Sequence, residues 1–205
     1  MMTITYEVGD GLYVNLTNRC PNACTFCIRR NGAGAYGSDS LWLDREPTEE
    51  EVVADIEKRN PERYSELVFC GYGEPTERLD TLLSVARRIK ASHPAVKIRV
   101  NTNGLSDLIA GEPTAARFAG AVDTLSVSMN AATAEKYQEV CRSRFGLQAY
   151  PAMLRFCSEA KHYVPHVVLT VVHGTIPEDE LAVCRENAER AGVSFRVREY
   201  IAPQE

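Results

Sequence analysis

Six short runs rich in β-branched and aromatic residues recur along the chain: LYVNLT (12–17), ELVFC (66–70), VKIRVNT (96–102), DTLSVSM (123–129), HVVLTVV (166–172) and SFRVREY (194–200). Runs of this kind read as strands. The stretches between them carry helical period. Thr48 follows Pro47 and precedes Glu51 by three residues, a capping box, after which Val52, Val53 and Ile56 share one apolar face. Leu79, Leu82, Leu83, Ala86 and Ile89 repeat the pattern. Helical spacing returns at 133–143, 150–162 and 177–191, the last closed by Gly192. The segment 105–122 is weaker and holds one short helix near 114–120. Strands that alternate with helices must run parallel and be joined by right-handed crossovers. The fold class expected is therefore α/β with six βα-type strands, two fewer than a closed eight-stranded barrel. No repeat or low-complexity linker divides the sequence, so one domain is expected over 1–205, with GAGAYGS (32–38) its loosest part.

Side chains alternate across a strand, and here the alternation separates polar from apolar. Leu12, Val14 and Leu16 oppose Tyr13, Asn15 and Thr17; Ile98 and Val100 oppose Arg99, Asn101 and Asn103; Leu125, Val127 and Met129 oppose Ser126, Ser128 and Asn130. Crossover helices should cover the apolar face. The polar face then lines either a wet, ligand-binding cavity inside an open, partial (βα)6 TIM-like barrel, or plain solvent beside an open sheet.

Composition narrows the partners. With 44% hydrophobic and 25% charged residues in 205, the chain can bury a core. No apolar run approaches the ~20 residues of a membrane-spanning helix, and MMTITYEVGDG has neither a basic nor an apolar leader segment, so the expectation is a cytoplasmic protein with no membrane partner. A formal net charge of -5 argues against bulk attraction to nucleic acid and favours a small-molecule or peptide substrate. Seven cysteines without an export signal read as reduced thiols or metal ligands.

Three of those cysteines form TNRCPNACTFCIRR, a CxxxCxxC loop over 18–30 directly after the first strand, where parallel α/β folds place ligands. Three readings compete. Zinc needs a fourth soft ligand, and none follows nearby. A thioredoxin-like pair, Cys24 and Cys27, leaves Cys20 idle. A [4Fe-4S] cluster held by Cys20, Cys24 and Cys27 has one iron left for an outside ligand.

The spacing, with Phe26 before the last cysteine, resembles the signature of the radical S-adenosylmethionine (SAM) superfamily. That resemblance implies a partial (βα)6 barrel, a cluster whose open iron chelates SAM, and reductive cleavage of SAM to a 5'-deoxyadenosyl radical. CGYGEPTERL (70–79) is similar to the superfamily's Gly-Gly-Glu element, which makes Gly71, Gly73 and Glu74 candidates for holding the SAM ammonium, although Tyr72 interrupts the glycine pair. VNTNG (100–104) resembles a third-strand element and offers Thr102 and Asn103. SVSMN (126–130) resembles a fourth-strand stretch and offers Ser128 and Asn130. The fifth strand departs from the family pattern: TVVHGTIPE keeps only Gly174 and Val172. Arg198, near the end of the last strand, is a further candidate for a carboxylate. Over nearly its whole length the chain is similar to the TatD-associated radical SAM proteins, a branch without an assigned substrate. It stops at Glu205, soon after the sixth strand, with no auxiliary cluster domain expected, leaving an edge that a protein partner or large substrate would cover.

Cys141, Cys157 and Cys184 lie on apolar helical stripes and read as inert core. Cys70, beside Gly71, is the one candidate for a catalytic thiol, against a packed core role. Arg29 and Arg30 follow the cluster loop, and of the histidines only His173 stands at a strand end. The resemblance implies an electron donor such as flavodoxin or ferredoxin. Two alternatives stay open: an activase that installs a radical on a partner protein, and a non-enzymatic iron-sulfur electron carrier.

Overall fold

A computed structural model describes residues 2–199. Seven strands form one sheet in chain order: β1 (Thr5–Val8), β2 (Gly11–Val14), β3 (Leu67–Phe69), β4 (Ile98–Thr102), β5 (Thr124–Ser128), β6 (His166–Val172) and β7 (Ser194–Arg198). β1 and β2 form an antiparallel hairpin; every later pair is parallel. The connections carry α1 (Glu49–Lys58), α2 (Leu79–Ser92), α3 (Ser106–Ala110), α4 (Ala134–Cys141), α5 (Ala149–Ala160) and α6 (Glu178–Ala191). Parallel strands that follow one another in space as in sequence, each twisted against the last, curl the sheet into an incomplete barrel. The six parallel strands are the partial (βα)6 barrel anticipated above.

Each expected strand is present, and Tyr200, the last residue of the sixth, lies outside the described residues. β1 was not expected. Its four residues are too few to show a period, and the signal that marks it is the turn: Gly9 takes a left-handed φ of 58° in the two-residue loop that sets Val8 opposite Gly11. β1 covers the edge that β2 would otherwise expose. It is fastened to α1 by the Thr5 amide and hydroxyl, which donate to Asp55 Oδ2 at 3.1 and 2.5 Å.

The helices form where the periodicity places them. The capping box of α1 is complete, with the Thr48 hydroxyl accepting from the Glu51 amide and Glu51 accepting from the Thr48 amide. Val52 and Ile56 are buried against the sheet, each contributing about 1.5–3 kcal/mol of transfer free energy, while Val53 stays half-buried. All five residues of the α2 stripe are buried. Gly192 ends α6 at a φ of 72°. Helix α4 is shorter than its pattern, because Arg142 turns left-handed and stops it. The weak segment 105–122 holds two short pieces, α3 and a 3-10 turn over Ala115–Phe118. The core fills the space between the helices and the apolar strand face, from Leu12 and Val14 through Phe69, Val100 and Val127 to Leu169, with Phe118 and Phe156 packed edge to face at 5.8 Å. No helix among the described residues is long and apolar enough to cross a membrane.

Candidate metal and cofactor site

The cluster loop leaves β2 at the sheet's carboxyl end. Its backbone is caught by the last turn of α4: the Ala23 and Thr25 amides donate to the Cys141 and Val140 carbonyls, each at 2.9 Å. Those carbonyls are among the acceptors a helix cannot satisfy internally, so a helix end holds a segment with no regular structure of its own. Asn22 adds a buried side-chain bond to the Tyr137 hydroxyl at 2.9 Å, and Arg29 reaches back to the Asn22 carbonyl at 3.3 Å. Cys20, Cys24 and Cys27 are thereby placed, unpaired and half-buried, along one wall of a cavity of about 420 Å³.

The cavity gathers most of the residues that the sequence singled out. Cys70, Gly71, Gly73, Glu74, Thr102, Asn103, Ser128, Asn130 and Arg198 line it with the three cysteines. Gly174 does not; it sits in the turn after β6 with a φ of 76°, and Val172 is the residue of that stretch that faces the cavity. Its glycine serves the turn, where a side chain would be strained. His173 is likewise absent from the lining.

Burial makes thiolates costly here. It pushes Cys20 up to about 12, with Glu74 adding repulsion, and it raises Cys27 as well. Cys24 is raised first by a hydrogen bond with Cys141 and then by burial. A bound cation reverses this balance and deprotonates a coordinating thiol. Among the described residues no three His, Cys, Asp or Glu side chains gather closely enough to grip a metal ion. Three soft thiols carried by one loop at one cavity wall are a donor set whose chemistry suits an iron-sulfur cluster. Cys141 therefore differs from Cys157 and Cys184: all three are buried, but Cys141 touches the cluster loop and accepts from the Asn130 amide at 3.7 Å.

The opposite wall is fixed by backbone contact and by one carboxylate. A Cβ on Gly73 would stand 2.2 Å from the Thr17 carbonyl oxygen, and one on Gly71 would stand 2.1 Å from Asn15 Oδ1, so neither position admits a side chain. Glu74, with 4% of its surface exposed, accepts from the Thr76 amide and hydroxyl at 3.1 and 2.8 Å, the Thr102 hydroxyl at 2.7 Å and the Asn103 amide at 2.7 Å. Desolvation raises its pKa against the lowering effect of those donors. Tyr72, the residue that interrupts the glycine pair, points away from the cavity. Its buried hydroxyl lies 2.9 Å from both the Gly32 and Gly34 carbonyl oxygens, and its ring meets Trp42 edge-on at 5.1 Å. The 32–38 segment is thus tied down at its start.

The inner strand face supplies polar groups that the protein does not use. Asn22 Oδ1, Arg99 Nε, Asn101 Oδ1, Asn103 Nδ2, Asn130 Oδ1 and Arg198 Nε are buried with no protein partner, and all belong to residues of the cavity lining. Buried polar atoms are normally satisfied, and a cluster of exceptions at one cavity marks a ligand site. Arg99 and Asn101 were not among the candidate site residues, although the period-2 pattern had already put them on the polar face. Asn22 and Tyr36, which also line the cavity, carried no signal beyond their nearness to the cysteine loop.

Comparison with known proteins bears on the family and the fold. Residues 14–186 match the family described as the Radical SAM superfamily. Two curated relatives, GTP 3',8-cyclases of Lactiplantibacillus plantarum and Limosilactobacillus fermentum, are 29% and 28% identical over 133 residues, which is 65% of this chain. The chain covers 37% of the length of each. Among solved structures, SuiB of Streptococcus suis bound to the precursor peptide SuiA aligns with a TM-score of 0.66 at 13% identity, over 96% of this chain and 40% of that one. A radical SAM methyltransferase from Sphaerobacter thermophilus aligns at 0.55 and 18% identity, over 95% and 68%. At these identities the structural likeness is one of fold.

Proposed function

The chain belongs to the radical SAM superfamily, and from that premise we propose that Cys20, Cys24 and Cys27 hold a [4Fe-4S] cluster whose fourth iron is left for SAM. When bound, such a cluster would supply the single electron for reductive cleavage of SAM to methionine and a 5'-deoxyadenosyl radical that could take a hydrogen atom from a substrate. The chain's own residues bind, orient and shield. Gly71 and Gly73 let the main chain pack closely against Asn15 and Thr17, which sets this corner of the cavity wall beside the ligand. Glu74 is held rigidly by Thr76, Thr102 and Asn103, so its free lone pairs meet an ammonium group without reorganisation. Ser128 and Asn130 face the same space from β5 and its exit. Cys70, beside these groups, is the candidate hydrogen-atom donor.

The observation that carries this reading is the convergence of the three cysteines, the Gly73-Glu74 corner and the unpartnered polar atoms on one cavity. An electron carrier needs the cysteines but not the rest, so the cavity favours an enzyme. The substrate is a small molecule or a peptide, in keeping with relatives named for GTP cyclisation and for a bound precursor peptide. Residues 1–205 act as one core domain in the cytoplasm, fed by a flavodoxin or ferredoxin. Anaerobic reconstitution with iron and sulfide, followed by dithionite and SAM, is expected to yield 5'-deoxyadenosine and methionine. Cys24→Ala abolishes both products. Iron-loaded wild-type protein that yields neither product overturns the reading.

A further inference from the structure

The cavity has a second pole, away from the cysteine loop, where two guanidinium groups meet. Arg99 enters from β4 three residues before Thr102, about 10 Å along the strand from the Glu74 corner. Arg198 enters from the end of β7, in register with Val172. Both line the cavity, together with Cys70, Asn101, Tyr13 and Tyr36. Arg99 is paired with Glu66 at 2.6 Å and donates to the Tyr13 hydroxyl at 3.2 Å, yet its Nε is buried without a partner. Among the described residues Arg198 forms no ion pair, and its Nε is buried without a partner too. Glu199 lines the cavity but makes no ion pair with either arginine among the described residues.

A guanidinium cannot escape burial by shedding its proton at neutral pH. Burial disfavours the charge of Arg198, and Arg196 and Arg99 add repulsion. Glu66 pairs with Arg99, which leaves Arg198 without a counter-charge among the described residues. A half-buried charge with a buried, unpartnered Nε is completed best by a ligand that brings an acceptor to it, and planar forks of this kind match the oxygens of carboxylates and phosphates.

We propose that Arg99 and Arg198 form a substrate subsite for an oxyanion, a carboxylate or phosphate, carried on the molecule that reacts at the cysteine-loop pole. This assignment rests on the functional reading above and adds the substrate's chemical class. The anionic group anchors the far end of the substrate, and the Asn101 Oδ1 beside it accepts from a neighbouring hydroxyl or amine. The rest of the molecule spans the cavity past Cys70 toward Glu74 and the cysteine loop.

The test is direct binding of two probes, inorganic pyrophosphate and succinate, to the full-length reconstituted protein and to the same protein before cluster loading, at constant ionic strength. Saturable binding of pyrophosphate alone identifies a phosphate source, of succinate alone a carboxylate source. Arg198→Gln and the paired Arg99→Gln/Glu66→Gln change are expected to weaken that binding about tenfold or more. The double change removes the ion pair as a unit, and Arg198→Gln breaks no ion pair among the described residues, so a folding defect in one leaves the other readable. SAM affinity, measured on the same loaded samples, falls by less. The proposal is overturned if neither probe binds saturably, if both variants bind as well as wild type, or if SAM affinity falls as far as probe affinity, which would put the arginines at the SAM carboxylate. Absence of SAM cleavage would overturn the cluster reading while leaving the measurement on unloaded protein to decide the oxyanion subsite.

Discussion

Leu125 and Val127 on β5 point outward to the helices, while Ser128, one residue on, points into the cavity. The same contrast runs across the sheet. On the outer face, Val100, Val127 and Leu169 are fully buried against helix side chains that are themselves apolar, and packing alone satisfies them. On the inner face, Arg99, Asn101, Asn130 and Arg198 each carry a buried hydrogen-bonding atom that no protein group meets among the described residues. Glu74 is the inner-face exception, with its four donors. The difference separates two tasks. A surface that only stabilises is completed by the protein; a surface built for a ligand is left incomplete at the atoms the ligand will meet, and the stability it forgoes must come from elsewhere.

The contrast can be broken most easily on the outer face. Phe156 is fully buried and stacked edge-on against Phe118 at 5.8 Å. Phe156→Ala is expected to cost about 3–5 kcal/mol of folding stability, through lost transfer free energy and the cavity left behind. Denaturant midpoints at an unchanged slope measure it. A loss below about 1 kcal/mol would mean that the helix layer can collapse onto the vacancy and is not the close-packed surface described here.

Tyr72 stands between the two classes, since it projects from the cavity corner yet is fully engaged by protein. Tyr72→Phe keeps the ring against Trp42 and removes the proton shared by the Gly32 and Gly34 carbonyls. The expected loss is about 1 kcal/mol, seen locally as faster proteolytic cleavage within residues 32–38. Unchanged cleavage would show that the segment is held by its other contacts, such as the Leu41 amide on the Ala33 carbonyl at 2.7 Å.

The outer face was legible in the sequence because it obeys period. Alternating strands and i, i+3, i+4 helices name their buried residues one by one, and Val52, Ile56, Leu82, Leu83 and Ile89 are all where the pattern puts them. The inner face was legible only as far as motifs reached. Cys20, Cys24, Cys27, Gly73 and Glu74 carry a recognisable spacing, and they do share a cavity. Arg99 and Asn101 carry none. Their meeting with Arg198 depends on the curl of the sheet from β4 to β7, a tertiary property that no local window encodes. Cys141 shows the same limit. Its helical stripe predicts burial, which is observed, but its contact with Cys24 arises because the last carbonyls of α4 take the cluster-loop amides. β1 was missed because four residues at a sheet edge have no period to read. Gly174 was a motif fragment without the surrounding pattern, and the turn accounts for it.

The smallest expected effect is the sharpest probe of the inner face. Asn101 sits mid-cavity on β4, with its Oδ1 buried and unpaired among the described residues and its side chain beside the Cys70 thiol, whose charged form it favours. In an ordinary core, removing a buried amide costs stability because its partners are stranded. Here the only stranded partner is a weak one, and the substitution also removes an acceptor already lacking its bond. The two terms nearly cancel, so Asn101→Ala is expected to change stability by no more than about 0.5 kcal/mol, in either direction. Thermal and denaturant midpoints against wild type measure it. A loss of about 2 kcal/mol or more would mean that Asn101 supports the fold through contacts of its own, and the inner face would then be a polar core, not a surface left open for a ligand.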